Sequence, residues 1–556
     1  TFSLLCFLLT VCILPAVADN LTRYVNPFLG TATLWDKQDL HYERHKRSRT
    51  WGAETFPGAA LPCGMVQVSP VTMFHSGSGY QYEDNKIYGF AHTNKGHWNL
   101  LHVPLLPTSA RQINADDYAS PFSHADEEAR PGYYRVKLER DNIMAELTST
   151  LRCAFHRYTF SPTTPKRLIV DITRNNNRVT DWHLRQAGAR AFEGWQDGEG
   201  KIFYAVSDVD ITSVNTVKGK KHSVMVVNFA DIPDSPVLRL RIGFSFVSVG
   251  NAKMNLEAEI GAQNFDDIAQ TADSCWESLL SKIRVHGGTL RHKRIFYSCL
   301  YRSMMWPALR SDVNGDYTDV QGRICNGGFS YYTLPSFWDD YRNKLILLGL
   351  LLPHVTQDVL KTIIDMGEKT NGYMPTFFHG DHASTFVAGS WLRGLRDFDL
   401  QRAYALLLKN ATVPGNEGRP YLDEYLKQGW IAEEAVDDVP YFDEYKAAVT
   451  KTVEYAYDDY AVAQAAKALG KTEDYQLLMA RARNWRNVIG PTGWADGRWA
   501  NGKWLKNRDL TTRVKFITEG TVAHYTWYVP HDVYGLMGAM GGKKVFTDRL
   551  DRMFRD

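Results

Sequence analysis

The chain has 556 residues, in which 64 Lys and Arg balance 62 Asp and Glu. This length is too great for one hydrophobic core, so we expect at least two domains. The near-neutral charge excludes nucleic acid and anionic membrane surfaces as expected partners, because both attract strongly basic proteins. Aromatic residues make up 13% of the chain, and such residues stack on sugar rings as readily as they pack in cores.

The first 18 residues are predicted to be a secretory signal peptide. They form an apolar run that is too short to cross a bilayer and ends in Ala16-Val17-Ala18, a small-x-small cleavage signature. The chain starts at Thr1 without a Met or a basic region, so we expect its true beginning to be missing. Cys12 follows a bulky Val and matches a lipoprotein acylation site poorly, which leaves a surface lipoprotein as an alternative. We therefore expect a secreted or periplasmic protein, and no later run has the length of a transmembrane helix.

Residues 19–265 are predicted to form an antiparallel β-sandwich domain. Short runs of alternating apolar and polar residues recur there, bounded by Gly, Pro, Asn and Asp. An alternation with a period of two is typical of strands that are buried on one face. Examples are GYYRVKLER at 132–140, KRLIVDIT at 166–173 and HSVMVVNF at 222–229.

After the predicted sandwich the sequence changes to a helical period. Residues 266–290 are predicted to be a connecting helical segment, and residues 291–556 a helical catalytic domain. Phe296, Leu300 and Met304 recur every four residues, as on one face of a helix. A β-sandwich followed by many paired helices favours an (α/α) barrel, in which the loops at one end build a pocket.

Three residues of the segment FWDDYR at 337–342 are candidate sugar contacts, namely Trp338, Asp339 and Arg342. An aromatic ring stacks on the apolar face of a pyranose, while a carboxylate and a guanidinium group bind its hydroxyls. The alternative is a plain helix N-terminus, where the helix dipole favours acidic residues.

Four further candidates for substrate binding lie in two other segments. Asp381 and His382 stand between a Gly-rich turn and a helix of small residues. Asp381 is alternatively the N-cap of that helix. His97 and Trp98 lie in the polar loop 92–99 of the N-terminal domain, which either reaches the pocket or stays on the surface.

Glu519 is the candidate catalytic residue. It precedes the aromatic residues Tyr525, Trp527 and Tyr528, which are expected to strip water from its carboxyl group so that the group keeps a proton near neutral pH. A general acid needs that property. The alternative is an exposed turn before a buried element. The sequence contains neither GxSxG nor HExxH nor a phosphate-binding Gly loop, which argues against serine hydrolase, zincin and kinase chemistry.

Seven short motifs span nearly all of the chain after the predicted signal peptide. They are YVNPFLGT at 24–31, TFPGAALPCGMVQVSP at 55–70, YGFAHT at 88–93, FWDDYR at 337–342, GDHA at 380–383, KTVEYAYDDYAVAQAAKALGK at 451–471 and EGTVAHYTWYVPHDV at 519–533. In this order the motifs resemble glycoside hydrolase family 92, the calcium-dependent exo-acting α-mannosidases.

The resemblance implies a fold, a reaction and a cofactor. The family's fold is an N-terminal β-sandwich followed by an (α/α)6 barrel, and its reaction is hydrolysis with inversion at the anomeric carbon. Ca²⁺ is implied as the cofactor that contacts the mannose hydroxyls. Glu519 matches the family's general acid, and Asp339 matches the residue that lines the sugar pocket. His524, in the same motif as Glu519, is a candidate substrate contact.

The sequence departs from the family pattern in three places. Neither the Gly-Asn-Glu-Pro-Ser-His motif nor the Asp-Glu-Asp motif with the general base occurs before Asp556. We therefore expect a truncated, incomplete barrel, with the base and the calcium ligands beyond Asp556. Residues 94–99 replace the family's Ser-Gly-Thr-Gly-Cys loop, which leaves the linkage open. The basic segment 41–49 is an insertion that either favours an anionic leaving group or forms a solvated loop.

Taken together, these patterns predict an inverting exo-α-mannosidase that acts on terminal α-mannosides of N-glycans or mannan. Two alternatives stay open. One is a glycan-binding protein without catalysis, because the motif with the base is missing. The other is an (α/α)6-barrel hydrolase or phosphorylase with a different sugar or linkage specificity, because one fold serves several reactions.

Overall fold

The structure is a computed structural model that describes most of the chain. The described residues are 20–33, 52–94, 100–197, 201–231, 235–415, 417–433, 446–505 and 509–555. The predicted signal peptide, the basic segment 41–49 and the candidate residues His97 and Trp98 lie outside these ranges.

The N-terminal part contains two sheets in which every strand pairing is antiparallel. The first sheet comprises, in spatial order, β1 (Ala59–Ala60), β2 (Gln67–Val71), β4 (Gly89–Ala91), β5 (Leu105–Thr108), β11 (Arg167–Val170), β16 (Ser223–Phe229) and β15 (Ile211–Lys218). The second comprises β12 (Trp182–Gly188), β13 (Ala191–Gln196), β14 (Lys201–Ser207), β17 (Val237–Ser245), β10 (Cys153–Thr159), β9 (Ile143–Ser149), β8 (Tyr133–Leu138) and β7 (Glu127–Arg130). A small ribbon pairs β3 (Lys86–Ile87) with β6 (Ser120–Pro121).

Side chains of the two sheets meet in one core, which confirms the predicted antiparallel β-sandwich. Val68 and Leu106 of the first sheet belong to the same buried cluster as Tyr134 and Phe203 of the second. Burial alternates residue by residue along β14, as expected for a strand whose side chains point to opposite faces in turn. The sequence period of two therefore reflects real one-sided burial.

A helical part follows the sandwich, again as predicted. Its elements are α1 (Val249–Glu259), α2 (Phe265–Leu280), α3 (Leu290–Ser303), β18 (Asp316–Thr318), β19 (Ile324–Asn326), α4 (Phe337–Asp340), α5 (Lys344–Leu351), α6 (Pro353–Lys369), α7 (Ala383–Leu392), α8 (Leu400–Thr412), α9 (Leu422–Gln428), α10 (Ala448–Ala468), α11 (Thr472–Arg481), α12 (Val522–Tyr525), α13 (Val533–Ala539) and α14 (Lys543–Met553). Within the described ranges, none of these helices is long and apolar enough to cross a bilayer.

Helix starts follow ordinary capping chemistry. The side chains of Asn264, Thr289 and Asp399 each accept a backbone N–H at the start of α2, α3 and α8, which satisfies a donor that the first helical turn leaves free. On α3, Leu300 is buried as predicted, but Phe296 is 37% exposed. The predicted stripe is therefore shorter than the sequence period suggested.

Polar contacts join the sandwich to the helices. The indole Nε1 of Trp276 on α2 donates to the carbonyl of Ala60, at 2.7 Å. The backbone N–H of Leu309 donates to the carbonyl of Cys63, at 2.9 Å. Helix α1 packs against β17 and β14 of the sandwich. The predicted domain boundary at residue 265 stays a prediction.

Helix α10 lies at the centre of the helical part. It packs against α7, α8 and α11 and buries residues on nearly all of its sides, including the carboxylates Glu454, Asp458 and Asp459. Buried carboxylates are costly unless they are paired. Their partners organise the region next to the candidate site.

Candidate functional site

The helical part contains a cavity of about 1020 Å³. Its wall is rich in aromatic residues, namely Trp306, Tyr331, Tyr332, Trp338, Phe377 and Phe378. Its charged residues are Arg310, Asp319, Asp339, Asp340, Lys344 and Glu519. A concave site with aromatic walls and a few carboxylates suits a neutral, hydroxyl-rich ligand. All the described lining residues come from the helical part.

The short helix α4 places the motif FWDD on this wall. Phe337 is buried and anchors the helix by packing against Phe386 of α7, at 6.2 Å between ring centroids. Trp338 and Asp339 line the cavity. Asp340 is buried and accepts a hydrogen bond from Lys344, at 3.1 Å. Acidic residues thus occupy the first turn of a helix, and three residues of the segment line the cavity; contact with a sugar stays a prediction.

Trp338 is held from three sides. Its indole Nε1 donates to Oε1 of Glu454, at 3.0 Å. The rings of Trp338 and Phe378 meet edge to face, with 5.2 Å between their centroids. The guanidinium carbon of Arg342 lies 5.6 Å from the centroid of the Trp338 ring. A ring fixed in this way offers a preformed stacking surface.

Glu519 lines the same cavity as Trp338 and Asp339. Its backbone φ is +46°, a left-handed conformation that is uncommon for a residue other than glycine. The preceding residue is anchored, because the backbone N–H of Thr518 donates to Oγ1 of Thr450, at 3.0 Å. Strained backbone of this kind clusters at functional sites, where the surrounding structure maintains it.

The aromatic shell predicted around Glu519 is not present, so that expectation was wrong. The Glu519 side chain is exposed. The hydroxyl of Tyr525 donates to Glu454, at 3.1 Å. Trp527 packs against Trp494 and Phe546 instead. Tyr525 and Trp527 therefore pack elsewhere and do not cover the glutamate.

Arg342 and His524, both predicted substrate contacts, do not line the cavity. Arg342 is exposed, with its guanidinium carbon 4.9 Å from the ring of Tyr341. His524 is exposed on α12, where its Nδ1 lies 3.2 Å from the backbone nitrogen of Thr521, completing a capping box. A capping role accounts for this histidine without a ligand.

Asp381 and His382, also predicted to bind substrate, are buried beside α10 and do not line the cavity. Asp381 accepts hydrogen bonds from Nε of Arg419, at 3.0 Å, and from Nδ2 of Asn410, at 3.1 Å. Burial raises its pKa to about 6, against the lowering effect of Arg419. It does not cap α7 either, since the N-cap residue of that helix is His382.

His382 lies between two buried carboxylates. Its Nδ1 is 3.0 Å from Oδ1 of Asp458, and its Nε2 is 3.8 Å from Oε2 of Glu454. Burial alone would lower the pKa of His382, but the two carboxylates raise it to about 9. The imidazole is therefore a cation at neutral pH, and its role here is to pair with buried charge.

A chain of polar contacts connects Thr518, the residue before Glu519, with helix α10. Oγ1 of Thr518 is 3.1 Å from Nε2 of His379, and Nδ1 of His379 is 3.3 Å from Nζ of Lys451. Burial lowers the pKa of Lys451 to about 8. The residue next to the candidate acid is thus tied to α10.

Sequence reasoning missed the buried carboxylates of α10. The segment VEYAYDDYA was recognised only as part of the motif at 451–471. Its three acidic residues offered a signal, because Glu454 and Asp458 stand four apart, on one face of a helix rich in Ala. Charges at such positions require buried partners.

Metal binding needs several ligating side chains close together. Within the described ranges, no group of three or more His, Cys, Asp or Glu side chains is arranged to hold a metal ion.

Comparisons with known proteins agree with this fold. The family model "Glycosyl hydrolase family 92 N-terminal domain" matches residues 24–248, and the model "Glycosyl hydrolase family 92 catalytic domain" matches residues 251–556. An uncharacterized secreted glycosidase of Arthroderma benhamiae is 24% identical over 613 residues, which covers 96% of this chain and 74% of that protein.

Solved structures of α-mannosidases superpose on most of the chain. The family GH92 α-mannosidase BT3965 of Bacteroides thetaiotaomicron has a TM-score of 0.83 at 27% identity, covering 96% of this chain and 74% of that one. Its complex with mannoimidazole has a TM-score of 0.84 at 27% identity, covering 97% and 74%. The inverting mannosidase BT2199 of the same organism has a TM-score of 0.83 at 26% identity, covering 96% and 74%. Since the catalytic-domain model alone matches more than half of the residues, the chain belongs to glycosyl hydrolase family 92.

Proposed function

We propose that this chain is an exo-acting, inverting α-mannosidase with Glu519 as its general acid. One observation carries the proposal: Glu519 lines the same cavity as Trp338 and Asp339, although it lies far from them in sequence. The names of its structural relatives, BT3965 as an α-mannosidase and BT2199 as an inverting mannosidase, support the sugar and the stereochemistry.

The proposed reaction assigns a task to each of the three residues. The Trp338 ring stacks on the mannose ring, and Asp339 accepts hydrogen bonds from its hydroxyls. Glu519 protonates the glycosidic oxygen as the bond breaks. The carboxyl group is exposed in the open cavity, where a bound sugar would exclude water from it.

Inversion also requires a carboxylate that activates water, about 6.5–9.5 Å from the acid. Two of the other cavity carboxylates are already neutralised. Asp319 pairs with Lys369, at 3.3 Å, and Asp340 pairs with Lys344, at 3.1 Å. We therefore assign no base among the described residues.

The proposal includes Ca²⁺ as the cofactor, on the ground that the family is calcium-dependent in general. Bound calcium would polarise the sugar hydroxyls and favour a distorted ring. The tasks assigned above belong to side chains alone, and none of these steps runs through the metal.

The proposed substrates are terminal α-mannosides of N-glycans or mannan, and the proposed location is secreted or periplasmic. The Arthroderma benhamiae relative is named as a secreted glycosidase, which supports the location. A glycan-binding protein without catalysis is the second candidate, and the pairing of Asp319 and Asp340 with lysines favours it.

Proton NMR of the first product tests the proposal directly. We expect hydrolysis of an α-mannoside to release β-mannose before mutarotation. Release of α-mannose first would contradict inversion. Binding of mannosides with no release would favour the glycan-binding candidate.

A further inference from the structure

Glu454 on α10 joins two segments that are far apart in sequence. Its side chain is fully buried. One oxygen, Oε1, accepts hydrogen bonds from Nε1 of Trp338, at 3.0 Å, and from the hydroxyl of Tyr525, at 3.1 Å. The three residues are 116 and 71 positions apart along the chain. A single carboxylate oxygen therefore sets the separation of the two donors.

The two donors belong to the two segments of the chain that carry the candidate site residues. Trp338 forms part of the cavity wall next to Asp339. The ring of Tyr525 lies against Gly520, since a Cβ added to that glycine would be 3.3 Å from Cδ2 of the tyrosine. Gly520 directly follows Glu519. Tyr525 therefore lies against the residue that follows the proposed acid.

The other oxygen of Glu454 is held in a charged environment. Oε2 has no hydrogen-bond partner among the described residues, and it lies 3.8 Å from Nε2 of His382, which is also unpartnered there. Because Nδ1 of His382 is bound to Asp458, at 3.0 Å, the ring cannot turn freely. The imidazole therefore helps to hold the Glu454 side chain in place.

We propose that Glu454 is a positioning residue that fixes the stacking surface of Trp338 relative to the loop that carries Glu519. If either donor swings away, the buried Glu454 carboxylate loses one of these two hydrogen bonds. This inference rests on the proposed function. It adds a residue that touches no sugar but sets the geometry of two residues that do.

Two substitutions at position 454 separate hydrogen bonding from charge. Glu454→Leu removes the acceptor, and we expect kcat/KM on an α-mannoside to fall about 100-fold, the loss typical of a small misplacement of reacting groups. Glu454→Gln keeps an oxygen that accepts from both donors and removes only the negative charge that faces His382. We expect the glutamine variant to recover most of the loss.

Tyr525→Phe removes one donor without touching the cavity wall. We expect a fall of about 10-fold in kcat/KM, mostly in kcat. Tyr404→Phe is the matched control, because the Tyr404 hydroxyl makes the same kind of bond to a carboxylate, Asp474, at 2.5 Å. The control should keep wild-type kinetics. If Glu454 acts through Tyr525, the Glu454→Leu, Tyr525→Phe double variant loses no more than Glu454→Leu alone.

Fluorine NMR of 5-fluorotryptophan protein tests the positioning without any enzyme assay. The Trp338 signal is assigned by its loss in Trp338→Phe. We expect it to shift or broaden in Glu454→Leu and to return near its wild-type position in Glu454→Gln. If the wild-type protein releases no mannose, the proposed function fails while this signal still decides the role of Glu454.

The inference is overturned by any of three results. These are an unchanged Trp338 signal in Glu454→Leu, losses that multiply to about 1000-fold in the double variant, or equal kinetics for Tyr525→Phe and Tyr404→Phe. Should Glu454→Leu fail to fold, the glutamine variant and the two tyrosine variants still decide the question.

Discussion

Nδ1 of His382 lies 3.0 Å from Oδ1 of Asp458, and both side chains are fully buried. The imidazole carries a charge there because the carboxylates around it raise its pKa from 6.5 to about 9. The stability that this buried ion pair contributes therefore depends on pH.

The first prediction follows from this linkage. Between pH 6.5 and about 8 the folded protein keeps a proton on His382 that the unfolded chain has lost, so stability falls as pH rises. The slope for one proton is at most about 1.4 kcal/mol per pH unit. Above pH 8 a second group acts in the opposite direction. The pKa of Lys451 is lowered to about 8 in the folded protein, so the unfolded chain binds the extra proton and stability rises with pH.

Urea unfolding at several pH values measures this slope. The slope should be flatter in His382→Gln than in the wild type, whereas the exposed histidine variant His286→Gln should keep the wild-type slope. Equal slopes in all three proteins would mean that His382 is neutral in the folded state.

The second prediction concerns the fully buried Arg419. Its guanidinium group pairs with Asp381, at 3.0 Å, and with Asp459, at 2.6 Å. Arg419→Met leaves both carboxylates without this partner, and we expect a loss of about 3–5 kcal/mol in the free energy of unfolding.

An exposed ion pair provides the control for Arg419. Arg402 pairs with Glu368 at the surface, at 2.5 Å. Arg402→Met should cost less than about 1 kcal/mol, because water and salt screen such pairs. A comparable loss for both variants in thermal or urea unfolding would show that burial is not the source of the effect.

The third prediction concerns Asp339. Its carboxylate faces the cavity, and charge-assisted hydrogen bonds to sugar hydroxyls are worth about 1.5–3 kcal/mol each. Asp339→Asn should therefore lower kcat/KM on mannosides by about 10- to 100-fold and weaken the binding of mannoimidazole. The exposed variant Asp397→Asn is the control. Inhibitor binding at wild-type strength would remove Asp339 from the sugar site.

The fourth prediction concerns the cofactor. Exhaustive chelation should abolish mannose release, and added Ca²⁺ should restore it. A chelator already saturated with Ca²⁺ serves as the control and should have no effect. Full activity after chelation would rule out the calcium part of the proposal.

Sequence patterns predicted the fold well because burial on one face repeats at short range. The alternation in β14 and the caps at Asn264 and Thr289 each depend on residues a few positions apart. The apolar face predicted on α3 was too long, because Phe296 is exposed. A helical period does not show where the contact with a neighbouring element ends.

The candidate site was predicted only in part, since its partners are distant in sequence. Trp338, Asp339 and Glu519 were found through motifs. Asp381 was misassigned because its partner Arg419 lies 38 residues away, and no local pattern links the two. Glu454 was missed for the same reason, as its hydrogen bonds come from segments on either side of α10 in the chain.

The proton donated by Glu519 is the central claim, and Glu519→Gln tests it most directly. We expect a loss of about 10²- to 10⁴-fold on a mannoside with a poor leaving group, and a much smaller loss on an activated aryl mannoside, whose leaving group needs no proton. The exposed variant Glu417→Gln should match the wild type on both substrates. Equal losses of Glu519→Gln on the two substrates, or no loss on either, would contradict the assignment of Glu519 as the general acid.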